Sequence, residues 1–242
     1  MKAIILAGGM GSRLKPLTDI VNKFLLPVYD KPLIEYSIEN LKRAGIDDIA
    51  IVLGKKSAGL AMEYLQSGKK FGVNFTYFFQ DEPLGIPHAI SYTEKFANGE
   101  NIVVMFADNI ILDEVSKFTN QFQAGCLVSC KVVNDADEIK KFGVVCTDKN
   151  GKVTHLEEKP KKPKSNLALA GIQIYDNKIY DFIKELEISD RGEYEVTHII
   201  NEYIKRNQFY YDTLEDEWID AGNPNSLFQA GQLMYNRAQN KH

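Results

Sequence analysis

The residues with the clearest chemical promise lie in LAGGMGSRL, Leu6 to Leu14, near the amino terminus. Glycine has no Cβ, so Gly8, Gly9 and Gly11 let backbone N–H groups come close to phosphate oxygens. The run lacks the third glycine of a dinucleotide fingerprint, because Leu14 stands there, and it lacks the Gly-Lys-Ser/Thr ending of a P-loop. Alone, it reads equally well as a tight turn after a strand. Two cations follow: Arg13, and then Lys23 in the setting Asn-Lys-Phe-Leu-Leu-Pro. A guanidinium fork matches phosphate oxygens, and an ammonium can follow charge developing at an α-phosphorus, so the pair could grip a triphosphate.

Other residues could serve the same chemistry. Asp108 follows the apolar run Ile102 to Phe106, where a carboxylate can reach a ligand beyond a strand end. Mg2+ takes oxygen ligands and keeps phosphate or water among them, so one or two protein carboxylates suffice. Without such a ligand, an aspartate there is a turn or cap residue. Glu158-Lys159-Pro160 offers an acceptor for sugar hydroxyls beside a cation for a phosphate. Neighbouring strand residues point to opposite faces, so a bend at Pro160 is needed to bring both into one site. With four lysines between Glu157 and Lys164, a solvated turn is the plainer reading. Cys126, Cys130 and Cys146 sit in apolar, strand-like segments and read as buried free thiols. His88, His155, His198 and His242 are scattered without zinc spacing and receive no catalytic role.

These residues need a scaffold, and the hydrophobic pattern supplies one. A strand over Ala3–Ala7 breaks into the glycines, and helical periodicity resumes around Ile34, Ile38 and Leu41. Strands at Ile49–Leu53, Asn74–Phe79 and Ile102–Phe106 alternate with helices around Ala58–Ser67 and Ala89–Phe96. This alternation predicts an α/β fold with a mostly parallel, doubly wound sheet that binds ligands beyond its carboxyl ends. From Gly125 onward the texture becomes strands at Cys126–Val132, Gly143–Thr147, Val153–Glu157 and Ala168–Tyr175, an antiparallel extension. Helices at Asn177–Glu187 and Val196–Arg206, a strand at Phe209–Leu214, a turn at Asp220–Pro224 and a closing helix complete the chain. No repeat or linker divides it, so residues 1–242 are expected to form a single domain, with halves 1–124 and 125–242 sharing one sheet.

Composition narrows the partners. With 29 basic and 33 acidic residues the formal charge is −4, which provides no overall field for nucleic acid or an anionic membrane. The apolar start of MKAIILAGG is too short for a signal-peptide core or a membrane span, so a cytoplasmic protein is expected.

The run LAGGMGSRLKPLTDIVNKFLLPVYDKPLI strongly resembles the signature of sugar-1-phosphate nucleotidyltransferases, most closely glucose-1-phosphate thymidylyltransferases. QDEPLGIPHA, FADN, FGVV, EEKP, GEYEVT and WIDAG extend the resemblance, in the family's order, over nearly the whole chain. It implies a Rossmann-like domain with a sugar-binding extension, the first half for the nucleotide and the second for the sugar. It also implies transfer of a nucleotidyl group from dTTP, or another nucleoside triphosphate, to a sugar 1-phosphate with Mg2+. Leu6, Gly8, Gly9, Gly11, Gln80 and Gly85 would bind the nucleotide, with the Gln80 amide donating and accepting at once at a pyrimidine edge. Arg13 would bind the leaving pyrophosphate and Lys23 would stabilise the α-phosphorus, while Asp108 and Asp220 would hold the metal. Asn109, Gly143, Glu158, Lys159 and Gly171 match sugar-phosphate positions, and Glu193 follows them less closely. Pro87 and His88 depart from the family, which usually has a small residue and then Gln there, so base preference turns on this loop. A uridylyltransferase, a non-catalytic sugar-nucleotide sensor and a Rossmann oxidoreductase are the alternatives, the last opposed by the broken fingerprint. Only 22 residues follow Asp220, which predicts loss of the allosteric nucleotide site of longer relatives. A homo-oligomer is compatible with the sequence but not readable from it.

Overall fold

The computed structural model describes residues 1–240, and His242 lies outside them. β1 (Lys2–Ala7) runs into the glycine loop, then α1 (Leu17–Ile20) and a ribbon of β2 (Pro27–Val28) and β3 (Lys31–Pro32). α2 (Leu33–Arg43), β4 (Asp48–Gly54), α3 (Ala58–Leu65) and β5 (Asn74–Gln80) follow. α4 (Ile86–Ser91) and α5 (Glu94–Ala97) lead to β6 (Ile102–Phe106) and β7 (Asn109–Ile111). α6 (Val115–Thr119) ends the first half, and the second begins with β8 (Cys126–Val132), β9 (Gly143–Thr147), β10 (Val153–Glu158) and β11 (Leu167–Tyr175). α7 (Ile179–Lys184), α8 (Val196–Lys205), β12 (Phe209–Thr213), β13 (Trp218–Asp220) and α9 (Pro224–Gln239) close it.

One nine-stranded mixed sheet carries the molecule, in the order β10-β9-β11-β6-β1-β4-β5, with β8 beside β11 and β12 beside β8. β1 is parallel to both β4 and β6, and β4 is parallel to β5. β1, β4 and β6 are apolar and buried along most of their length because helices cover both faces, whereas β5 at the edge is partly exposed. Alternate residues go to opposite sides: Ile5, Ile51, Val103 and Met105 join α2 residues Ile34, Ile38 and Leu41 in one core cluster. Ile4, Ala50, Val52 and Val104 face a second cluster containing Ile90, Ile179, Ile199 and Tyr203.

The two halves meet where β11 runs antiparallel to β6, Ile172 opposite Met105. The earlier part of β11 pairs instead with β9, Ala168 opposite Val144, so the sheet forks near Gly171. The Ser129 hydroxyl, bonded to both N–H and C=O of Ile172, bridges the break in the β8 ladder at that fork. In a separate ribbon β13 pairs with β7, placing Asp220 opposite Asn109.

Two local expectations are corrected. The helix expected over Ala89–Phe96 starts earlier, at Ile86, and divides into α4 and α5. Pro87 lies in its first turn, where a missing N–H costs no helical hydrogen bond. The Thr93 hydroxyl then takes up the Ile90 carbonyl, at 2.7 Å, where the helix breaks. The bend expected at Pro160 occurs one residue earlier, at Lys159, whose φ is +42°. That left-handed backbone brings both Glu158 and Lys159 to the same cleft.

Candidate active site

A cleft of about 680 Å³ opens beyond the carboxyl ends of β1 and β6. Register explains its first contacts: Leu6 of β1 pairs with Phe106 of β6, so Gly8 and Asp108 emerge side by side. On the other flank Gly54 lies opposite Gln80. Having no side chain, Gly54 lets the Gly8 backbone come close, since a Cβ on Gly54 would stand 2.7 Å from Gly8 O. The Gln80 carboxamide also reaches Gly8, where an added Cβ would stand 2.9 Å from Gln80 Oε1.

Of the residues singled out in the sequence, Leu6, Gly8, Gly9, Gly11, Arg13, Lys23, Gln80, Gly85, Asp108, Asn109, Gly143, Glu158, Lys159, Asp220 and Glu193 all line the cleft. Gly171, expected to meet the sugar phosphate, is not among the lining residues. It packs behind the lining, and a Cβ on it would meet Asn109 Oδ1 at 2.6 Å. Its smallness makes room for Asn109.

Charges are arranged in two pairs. The Lys23 ammonium is hydrogen-bonded to Asp108, and it also hangs over the loop, since a Cβ on Gly9 would stand 3.4 Å from Lys23 Nζ. Arg13 Nη2 lies 3.7 Å from Asp220 Oδ2. Burial works against the charged form of Asp108, but Lys23 and the Asn109 amide outweigh it and hold the carboxyl below the usual range. Asp220 goes the other way: burial, then the negative Asp108, push it up to about 6 despite Lys23 and Arg13. A hydrogen bond from Ala221 N–H to Asp108 O, 2.9 Å, ties the two acid-bearing segments together.

Asp220 Oδ1 is buried and lacks any hydrogen-bond partner among the described residues. A buried carboxylate oxygen without a donor is costly unless a cation or proton meets it. Beside Asp108 it forms the hard oxygen pair that suits Mg2+.

Several lining residues went unread in the sequence. Trp218 Nε1 donates to Asn109 Oδ1 at 2.6 Å, and Asn109 Nδ2 donates to Asp108 Oδ1 at 3.0 Å. Asn109 therefore orients a carboxylate, with Trp218 fixing which way its amide points. The Trp218 ring rests on Phe142, centroids 4.9 Å apart, and both rings form a wall of the cleft contributed by the second half of the chain. Gln173 is fully buried, lines the cleft, accepts from Tyr175 Oη at 2.7 Å, and leaves its Nε2 without a partner among the described residues. Its one available signal was a polar residue inside the apolar strand sequence GIQIY. Glu158 is pushed up from its usual range, chiefly by burial, although Lys159 Nζ lies 3.4 Å away.

The cysteines are buried and unpaired, and burial pushes each thiol up. The structure does bring Cys146 together with His155 and Glu157, ligand atoms within 4.8 Å, which their spacing in sequence concealed. The β9–β10 register does this by setting His155 opposite Cys146. Glu157 is already engaged by Lys164 and His155, and the trio lies outside the cleft. No helix among the described residues is long and apolar enough to cross a membrane.

Comparison with known proteins agrees with this geometry. The profile of the nucleotidyl transferase family matches residues 2–237. A glucose-1-phosphate thymidylyltransferase of Mycolicibacterium smegmatis is 38% identical over 240 residues, 97% of this chain and 82% of that protein. A low-salt glycan biosynthesis nucleotidyltransferase of Haloferax volcanii is 36% identical over 236 residues, and the match spans only 66% of its length. Among solved structures, a Bacillus anthracis protein assigned as a glucose-1-phosphate thymidylyltransferase, crystallised with a sucrose, superposes with TM-score 0.89 at 43% identity, covering 96% of this chain and 94% of that one. A UDP-glucose pyrophosphorylase bound to UDP-glucose gives TM-score 0.86 at 25% identity, covering 98% of each chain. With a glycine loop, two cations and two carboxylates converging at the end of its parallel strands, the chain belongs to the nucleotidyl transferase family.

Proposed function

We propose that this protein transfers a nucleotidyl group from a nucleoside triphosphate, dTTP before others, to glucose 1-phosphate, releasing pyrophosphate and forming dTDP-glucose. One observation carries the reading: the glycine loop with Arg13 and Lys23 faces Asp108 and Asp220 in the same cleft that Glu158 and Lys159 enter from the second half. In this division of labour residues 1–124 bind the nucleotide and 125–242 the sugar phosphate.

A sugar phosphate is already ionised at neutral pH, so no side chain needs to act as nucleophile. Its oxygen attacks the α-phosphorus in line and pyrophosphate departs on the opposite side. Lys23 neutralises charge on the α-phosphoryl oxygens and Arg13 holds the departing pyrophosphate, so positioning and charge provide most of the rate. Both cations must first exchange a carboxylate partner for phosphate oxygens, and their existing pairs keep them in place until then. Asp108 and Asp220 would hold Mg2+, which would supply further charge neutralisation at the phosphates. On the sugar side, Glu158 accepts from hydroxyls, Lys159 meets the phosphate, and the unpartnered Gln173 Nε2 donates to a sugar oxygen. The proposed setting is the cytoplasm.

Uridylyl transfer is the second reading, favoured by the UDP-glucose-bound neighbour. A panel pairing dTTP, UTP, CTP and GTP with several sugar 1-phosphates, scored by pyrophosphate release with and without Mg2+, tests both. The proposal expects fastest release with dTTP and glucose 1-phosphate, and release that requires the metal. A protein that binds these nucleotides yet releases no pyrophosphate in any pairing is a sensor instead.

A further inference from the structure

The Gln80 carboxamide does not keep one donor and one acceptor free for a base, as its side-chain chemistry alone suggests. Both hydrogens on Nε2 are engaged, one by the Gly85 carbonyl at 3.3 Å and one by His88 Nδ1 at 3.0 Å. A backbone carbonyl can only accept, which turns the amide nitrogen away from Gly8. Nδ1 of His88 accepts only in the neutral tautomer that carries its proton on Nε2, the nitrogen 3.5 Å from Tyr92 Oη. The ring is held for this task, stacked on Tyr194 at 6.2 Å and 22°, with Tyr92 edge-on at 5.1 Å. What remains for a ligand is Gln80 Oε1, lying over Gly8 at the wall of the cleft.

We propose that His88 is a positioning residue for base selection: by occupying the Gln80 amide nitrogen it leaves a lone acceptor facing the base, selecting rings with an imino N–H. Thymine and uracil carry that hydrogen at N3, whereas cytosine presents a lone pair there and would set acceptor against acceptor. Discrimination of this kind comes from leaving polar groups unpaired with the wrong ligand, and it is large because the site is buried. The proposal rests on the nucleotidyl-transfer reading given above.

The test compares kcat/KM for dTTP and dCTP, with glucose 1-phosphate, in the wild type, His88→Phe and His88→Gln. Phenylalanine keeps a ring against Tyr194 but cannot accept, so the dTTP/dCTP ratio should fall about tenfold, the scale of one hydrogen bond, through KM for dTTP rather than through kcat. Glutamine, with an oxygen able to accept from Gln80, should restore part of the ratio. Equal losses for both nucleotides in His88→Phe, leaving the ratio unchanged, would reduce His88 to a structural residue and overturn the proposal. A measurement on the unaltered protein stands beside this: the long-range 15N spectrum should report the proton of His88 on Nε2, and a proton on Nδ1 overturns the proposal even if no variant folds. Absence of pyrophosphate release from every triphosphate, with that tautomer present, is failure of the transfer reading and removes base selection with it.

Discussion

At the scale of single residues, the account depends on two cations and two carboxylates that neutralise each other until phosphates arrive. In the proposed mechanism Lys23 has a task at the α-phosphorus that no neighbour duplicates, because Arg13 is assigned to the departing pyrophosphate. Lys23→Gln is therefore expected to lower kcat by roughly 10²–10³-fold while weakening dTDP binding far less. Stopped-flow pyrophosphate release beside calorimetric titration separates the two effects. Asp220 makes a second prediction. Its carboxyl is pushed up to about 6, so below that pH it holds a proton that a cation must displace. Mg2+ affinity should weaken as pH falls through about 6, with proton release on binding at pH 5.5 and almost none at pH 7.5. Titration calorimetry in buffers of different ionisation enthalpy reads the protons, and equal release at both pH values would count against Asp220 as a ligand. That the glycine loop, Arg13 and Lys23 share one cleft was legible through the family resemblance, since the glycine run alone reads equally well as a turn. Trp218, Gln173 and the role of Asn109 were not, since each is defined by a partner brought from a distant strand: Trp218 reaches Asn109 across β7 and β13.

Secondary structure sets the precision of the site. Strand ends meet closely at Gly8, so Gly8→Ala must push either Gln80 or the loop aside. The expected result is a fold intact by circular dichroism with a dTDP dissociation constant raised at least about tenfold, equivalent to about 1.4 kcal/mol. The end of β13 that carries Asp220 is followed closely by α9, whose Asn223 side chain accepts from Asn225 N and Ser226 N while Ser226 Oγ accepts from Asn223 N. Asn223→Ala should cost about 1 kcal/mol of stability, seen as a lower unfolding midpoint in urea with an unchanged m-value. Most elements were legible from periodicity, because α2 and β6 bury one stripe and two faces respectively. The failures were local: the helix expected from Ala89 begins at Ile86 with Pro87 in its first turn, and at Lys159 a single positive φ does what Pro160 was expected to do. Backbone sign at one residue leaves no mark in hydrophobic pattern.

Across the whole molecule, a single mixed sheet joins the first half of the chain to the second through β6 and β11, so the two sides of the cleft are connected by paired strands rather than by a hinge. The doubly wound half could be inferred from alternating elements. The pairing of β11 with both β6 and β9 could not, because such contacts connect segments far apart in sequence with no periodic signature. This rigid arrangement suits direct transfer between two bound substrates, with no nucleotidyl group parked on the protein. The sharpest test is a single-turnover experiment with enzyme in excess, Mg2+, glucose 1-phosphate and dTTP labelled at the α-phosphorus. The label should pass entirely into dTDP-glucose with an equal amount of pyrophosphate, whereas label that stays in dTTP, or becomes bound to protein, contradicts the account.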